Sequence, residues 1–251
     1  MSPAKLFLLD VEGTAAPLTL TTEVLFPYAR RHFRTFLSEQ IDDPAVREDL
    51  ILLAEENRAE IDPSSPGIKG APGPSHLGTR ESANTDVALD ESLAYLLWLM
   101  DRDRKSTALK SLQGKIWKAG FESGELKGTV FDDVPPAFAR WAAQGKVAIY
   151  SSGSVDAQKL FFRHSSAGDL TPHISGYFDT RTGAKRESAS YAAIAAHFGF
   201  GPHECLFFSD LVAELDAART AGFDTCLVVR PGNPPVEDKH GHLSIESLAL
   251  R

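Results

Sequence analysis

Short apolar runs that end in polar residues recur at four places along the chain: KLFLLD (5–10), KVAIYSS (146–152), ECLFFSD (204–210) and FDTCLVV (223–229). The first is unbroken and lacks the period-two alternation of a half-exposed strand, so it predicts a strand buried on both faces, and the other three read alike. Helical patterns accompany the later runs, in DAQKLFFRHS, SASYAAIAAHFG and VAELDAARTAG. Short buried strands alternating with helices predict an α/β fold, a mostly parallel sheet covered on both sides. Ligands of such sheets bind beyond the carboxyl ends of the strands. Three of the four runs end there in oxygen-bearing side chains: Asp10, Ser151 with Ser152, and Asp210.

Between the first and second runs the period changes. Residues 20–40, 44–60, 86–100 and 106–122 carry apolar side chains three and four apart, as in Leu89, Leu93, Leu96, Leu97 and Met100. That spacing predicts four helices with no strand among them. The expected organisation is therefore a core of residues 1–14 and 127–251, with a helical cap inserted at 15–126. Leaving the core directly after its first strand, the insertion is placed to act as a lid; a packing appendage on the far side is the alternative. Ile61 to Ser82 is rich in Pro, Gly and Ser and reads as a loop within the insertion. Trp98, Trp117 and Phe121 suit either a pocket wall or the core of the helices.

Composition narrows the possible partners. Thirty-four acidic against 26 basic residues leave a net charge of −8, whereas a nucleic-acid binder needs a basic face. No apolar run approaches the roughly 18 residues of a membrane-spanning helix. The opening stretch, MSPAKLFLLDVEGT, breaks at Asp10 and Glu12, unlike a secretory signal. The expectation is a cytoplasmic monomer with no nucleic-acid or membrane partner. Cys205 and Cys226 sit in apolar runs and read as buried thiols. His240 and His242, in KHGH, lack an obvious third ligand and read as a solvated loop.

Four segments could carry chemistry, and each has a plainer reading. In DVEGT, Asp10 and Glu12 project to one side of an extended segment. Such a carboxylate pair suits a Mg²⁺ site with a nucleophile or an acid/base pair, or a solvated turn. YSSGS (150–154) offers hydroxyls and backbone N–H groups to a phosphate, or an N-cap at Ser154. Lys185, in TRTGAKRES, could neutralise a phosphate oxygen or lie on the surface. Asp210 could complete a Mg²⁺ shell with Asp10, and Glu214 could support it from behind or complement a helix start.

Taken in order, a carboxylate, a hydroxyl, a lysine and a second acid resemble the haloacid dehalogenase superfamily. Within it, DVEGT, LFPYAR, DRKSTALKSLQGKIW, YSSGSVDAQKLFF, GYFDTRTGAK and VVRPGNPP are similar to the enolase-phosphatases of methionine salvage, the acireductone synthases. The resemblance implies a haloacid dehalogenase-like Rossmannoid core with an inserted α-helical cap. It also implies enolisation and then hydrolysis of 2,3-diketo-5-methylthiopentyl-1-phosphate through an aspartyl-phosphate. One Mg²⁺ per active site would be held by Asp10, the backbone carbonyl of Glu12 and Asp210. Asp10 would be the nucleophile, Lys185 would screen charge, Ser151 and Ser152 would hold the phosphate, and Glu12 would handle protons. The alternative activity is a Mg²⁺-dependent phosphatase for another small phosphorylated metabolite. A noncatalytic binder is a third reading, against which Asp10, Lys185 and Asp210 argue together. Ala15 and Ala16 stand where the family commonly has hydroxyls, and Ser209 replaces a common threonine.

Overall fold

The computed structural model describes residues 4–69, 82–236 and 240–250. Most of the expected Pro/Gly/Ser loop, residues 70–81, lies outside them. The chain forms two compact units: residues up to Glu23 together with those from Phe121 onward, and Val24–Gly120. The helical unit is thus shorter at each end than the insertion expected at 15–126.

The first unit is built on six parallel strands: β1 (Leu6–Leu9), β2 (Lys146–Tyr150), β3 (Ile174–Phe178), β4 (Cys205–Ser209), β5 (Asp224–Val228) and β6 (Leu243–Ile245). Their order across the sheet is β3-β2-β1-β4-β5-β6. β1 is central and all four of its residues are buried. Its two faces meet different layers. Phe7 stacks on Trp141 at 5.1 Å, and Trp141 stacks in turn on Phe208 at 4.9 Å. Leu6 and Leu8 instead join Tyr150, Tyr191, Ile194, Phe207 and Leu215. Burying each such side chain contributes roughly 1.5–3 kcal/mol, enough for a sheet covered on both faces to hold without disulfides. Cys205 and Cys226 are buried, and neither forms a disulfide among the described residues. Burial, aided by the charge of Glu204, pushes the Cys205 thiol up to about 12.

The second unit contains helices α1 (Phe26–Glu39), α2 (Pro44–Ala59), α3 (Ser82–Asp101) and α4 (Thr107–Ser123), the last ending in the first unit. Three of its arginines are paired with acids: Arg30 with Asp101 at 2.6 Å, Arg34 with Asp90 at 2.6 Å, Arg104 with Glu60 at 2.5 Å. Arg102 lies 4.7 Å over the ring of Trp98, which is buried, as is Phe121. Trp117 is half-buried and donates to the Leu25 carbonyl at 2.8 Å.

The remaining helices are α5 (Val134–Gln144), α6 (Val155–Arg163), α7 (Ser188–Phe198) and α8 (Val212–Thr220). The histidine pair has structural partners. The buried ring of His242 meets Thr225 Oγ1 at 2.7 Å and Asp216 at 3.2 Å. None of the described helices is long and apolar enough to cross a membrane.

Candidate active site

Strand register decides which side chains meet. Leu9 pairs with Ile149 on one side and Phe208 on the other. The Asp10 amide continues that ladder, donating to the Phe208 carbonyl at 3.0 Å. Asp10 therefore sits one step past β1, level with Tyr150 and Ser209, while Ser151 and Asp210 lie one residue further on. At this edge Asp10, Ser151, Ser209 and Asp210 are all buried.

Lys185 arrives on the loop between β3 and α7. The loop is fixed by its neighbours: Tyr150 Oη donates to the Gly183 carbonyl at 2.9 Å, Ser190 Oγ to that of Ala184 at 2.9 Å, and Tyr191 Oη to that of Lys185 at 2.7 Å. Gly183 has φ +142°, and a Cβ there would stand 2.2 Å from Ser190 Oγ, so no larger residue fits. Thus held, Lys185 Nζ donates to Asp10 Oδ1 and lies against Glu214 Oε2, both at 2.6 Å. Burial works against its charge, but Asp10 and Glu214 outweigh it and raise the Lys185 pKa, so the ammonium persists.

Glu214, in the first turn of α8, also accepts from Ser209 Oγ at 3.0 Å. Burial pushes its carboxyl up, against the pull of Lys185. The acid expected to support the site from behind is therefore the second partner of the lysine. Asp210 is pushed up to about 7 by burial and then by the charge of Asp10. This arrangement gathers three carboxylates around one ammonium, short of positive charge.

The turn after Asp10 is compact. Val11 O accepts from Thr14, Ala15 and Ala16 N–H, and Gly13 N–H donates to Ala16 O at 2.8 Å. Gly13 has φ +72°, and a Cβ on it would stand 2.3 Å from Asp210 Oδ2. Gly13→Ala is expected to cost about 1–2 kcal/mol in backbone strain and to displace Asp210. Denaturant unfolding will check the first effect, and the carboxyl chemical shift of Asp210 in NMR spectra the second. Ala15 and Ala16 are fully buried.

Two further observations bear on a metal. Among the described residues, the Glu12 carbonyl alone of those at 11–16 accepts no hydrogen bond. No group of three or more His, Cys, Asp or Glu side chains there is arranged to hold a metal. What the site offers is two carboxylates, Asp10 and Asp210, and one uncommitted carbonyl. An all-oxygen set of few protein ligands fits Mg²⁺, which keeps several waters. The Glu12 carboxylate accepts from Thr21 N–H at 3.2 Å.

At the end of β2, Ser151 Oγ accepts from Gly153 N–H at 3.2 Å, and Ser152 is exposed. Ser154 caps α6 through Ala157 N–H, the plainer of the two readings of that hydroxyl. Sequence reasoning missed Gln158, whose buried amide donates to Gly153 O at 2.7 Å and Phe178 O at 2.9 Å. It also missed Tyr150, Tyr191 and Asn233. The first two look like ordinary core aromatics until the loop they hold is seen.

The model of haloacid dehalogenase-like hydrolases matches residues 4–222. The chain is 54% identical over 231 residues to Enolase-phosphatase E1 of Synechococcus elongatus, covering 92% of this chain and 90% of that protein. The chain belongs to the enolase-phosphatase E1 family of haloacid dehalogenase-like hydrolases. Family similarity extends to Enolase-phosphatase E1 of Danio rerio, 40% identical across 96% of this chain and 91% of that one. A relative in Physcomitrium patens is named a probable bifunctional methylthioribulose-1-phosphate dehydratase/enolase-phosphatase E1. It is 43% identical over 96% of this chain, which spans 47% of its length. Among solved structures, the UTR4 protein of Saccharomyces cerevisiae superposes with a TM-score of 0.74 at 34% identity, covering 97% of this chain and 98% of that one.

Proposed function

We propose that the chain is a bifunctional enolase-phosphatase of methionine salvage. It converts 2,3-diketo-5-methylthiopentyl-1-phosphate, through its enol phosphate, to acireductone (1,2-dihydroxy-3-keto-5-methylthiopentene) and phosphate. The observation that carries the reading is Lys185, its side chain 13% exposed, held between the buried Asp10 and Glu214 beside Asp210. The substrate follows from chemistry. The Physcomitrium relative joins its enolase-phosphatase to a methylthioribulose-1-phosphate dehydratase. Loss of water from that sugar phosphate leaves a 2,3-diketone whose C1 carries both the phosphate and an acidic proton. The substrate is a phosphate ester, ionised and unable to cross membranes unaided, which supports the cytoplasm as the site of reaction.

Asp10, the Glu12 carbonyl and Asp210 would hold one Mg²⁺, which when bound supplies positive charge to the phosphate oxygens. Lys185 holds Asp10 Oδ1 and leaves Oδ2 to attack phosphorus, while its charge offsets the repulsion between carboxylate and phosphate. The phosphorus–oxygen bond to C1 breaks as the aspartyl-phosphate forms on Asp10. Water then attacks that phosphorus, releasing phosphate and restoring the carboxylate. Ser151 and Ser152 bind the phosphate oxygens through hydroxyl and backbone donors at the start of α6. Glu12 handles protons, taking the one on C1 or supplying one to the leaving oxygen.

The test follows enol absorbance and free phosphate together after mixing with the diketo phosphate, with and without Mg²⁺. The expected result is an enol signal that precedes phosphate. Mg²⁺-dependent phosphate release from other monoesters, with no enol formed from the diketone, would instead favour a phosphatase of a different metabolite. Glu12→Gln should slow at least one of the two steps by roughly 10²-fold or more. Parent-like rates for both would remove Glu12 from the proton chemistry.

A further inference from the structure

The string VVRPGN, just past β5, has no part in the chemistry so far. Its side chains nonetheless reach the turn that follows the nucleophile. Asn233 Nδ2 donates to the Gly13 carbonyl at 2.9 Å, and Arg230 Nε to the Thr14 carbonyl at 3.0 Å. The next carbonyl, of Ala15, accepts from Phe131 N–H at 3.1 Å. Three consecutive carbonyls of one turn are therefore held from outside it, which leaves the peptide units little freedom to rotate.

Arg230 is itself rigidly placed. It is 5% exposed and its guanidinium grips both oxygens of Asp133, at 2.7 and 2.9 Å. It also donates to Glu246 O at 3.2 Å and lies 4.3 Å over the Phe131 ring. Asp133 accepts in addition from Ser247 Oγ and Leu248 N–H, each at 2.8 Å. Burial pushes the Asp133 carboxyl up, but Arg230, Ser247 and Leu248 outweigh that and hold it below its ordinary range. A buried bidentate pair of this kind fixes direction as well as distance.

We propose that Arg230 and Asn233 are positioning residues that clamp the Gly13 and Thr14 carbonyls and so aim the Glu12 carbonyl into the site. The donors acting on residues 13, 14 and 15 settle the orientation of those peptides, and the Glu12 carbonyl is the one left uncommitted. Asn233 also stands beside Asp210: its Nδ2 and Asp210 Oδ2 are 3.3 and 2.3 Å from the Cβ that Gly13 lacks. This inference rests on the reading of Asp10, Glu12 and Asp210 given above.

The test compares Asn233→Ala with Asn233→Leu, which keeps the volume and lacks the donor. Arg230→Met, which strands Asp133, serves only as a companion because it is open to misfolding. Both Asn233 variants should melt within a few degrees of the parent. They should exchange the amides of residues 11–16 faster, weaken Mg²⁺ measured by calorimetric titration by about tenfold, and lower kcat for p-nitrophenyl phosphate more than they change KM. Unchanged exchange in both variants, or parent-like exchange in Asn233→Leu, overturns the clamp. A parent that neither binds Mg²⁺ nor releases phosphate would sink the proposed function instead. The exchange measurement needs no metal and would still decide the clamp.

Discussion

Asp10→Asn should reduce phosphate release at least about 10³-fold, since no other group replaces a covalent nucleophile and the members of such a unit are not additive. Asn keeps the size of Asp and can still accept from Lys185 Nζ, which the parent carboxylate does at 2.6 Å. The amide oxygen cannot form a stable aspartyl-phosphate, so chemistry stops at the enol phosphate. Enol absorbance should therefore appear and persist while free phosphate stays near background. Intact-protein mass spectrometry of the rapidly quenched parent should show one added phosphoryl group that the variant lacks. Folding should survive, because Lys185 keeps Glu214 as its charged partner. Near-parent phosphate release by the variant would remove Asp10 from the nucleophile's role.

The elements that position this residue were legible where burial was continuous. KLFLLD, KVAIYSS, ECLFFSD and FDTCLVV contain β1, β2, β4 and β5, since most positions of each strand are apolar and buried. β3 escaped for the opposite reason. ISGYF is only partly buried, and Gly176 interrupts its apolar run because a Cβ there would stand 2.8 Å from the Phe198 ring. β6, three residues long at the sheet edge, is too short to show a period. α5 was hidden by Pro135 and Pro136, which read as breakers but occupy the first turn, where a missing N–H costs nothing. In the site, the polar residues at strand ends stood out, because an ionisable group closing an apolar run is conspicuous. The residues that orient them did not. Tyr150, Gln158 and Asn233 act on the carbonyls of Gly183, Phe178 and Gly13, far away in sequence, and no local pattern records such a bond.

Lys185→Met should be the most damaging change at the site for stability. The side chain it removes is 13% exposed, and the carboxylates of Asp10 and Glu214 beside it are 9% and 8% exposed. Methionine fills the space of the methylenes but leaves two buried carboxylates facing each other, with Asp210 close enough to feel the charge of Asp10. Stranding charges in this way costs about 3–5 kcal/mol. Urea unfolding in the presence of a chelator, so that no bound cation hides the loss, should show it as a lower midpoint. Phosphate release should fall by at least roughly 10²-fold, since the charge that offsets the phosphate dianion is gone. The decisive comparison is the double variant with Glu214→Gln. Neutralising Glu214 in the parent removes a partner from the ammonium, which offsets the relief of a buried carboxylate. In Lys185→Met the same change removes a stranded charge and should restore stability. The two substitutions are therefore expected to couple by about 1–3 kcal/mol while activity stays lost. Additive losses would mean that the lysine stabilises the core through its methylene packing rather than by neutralising the two acids.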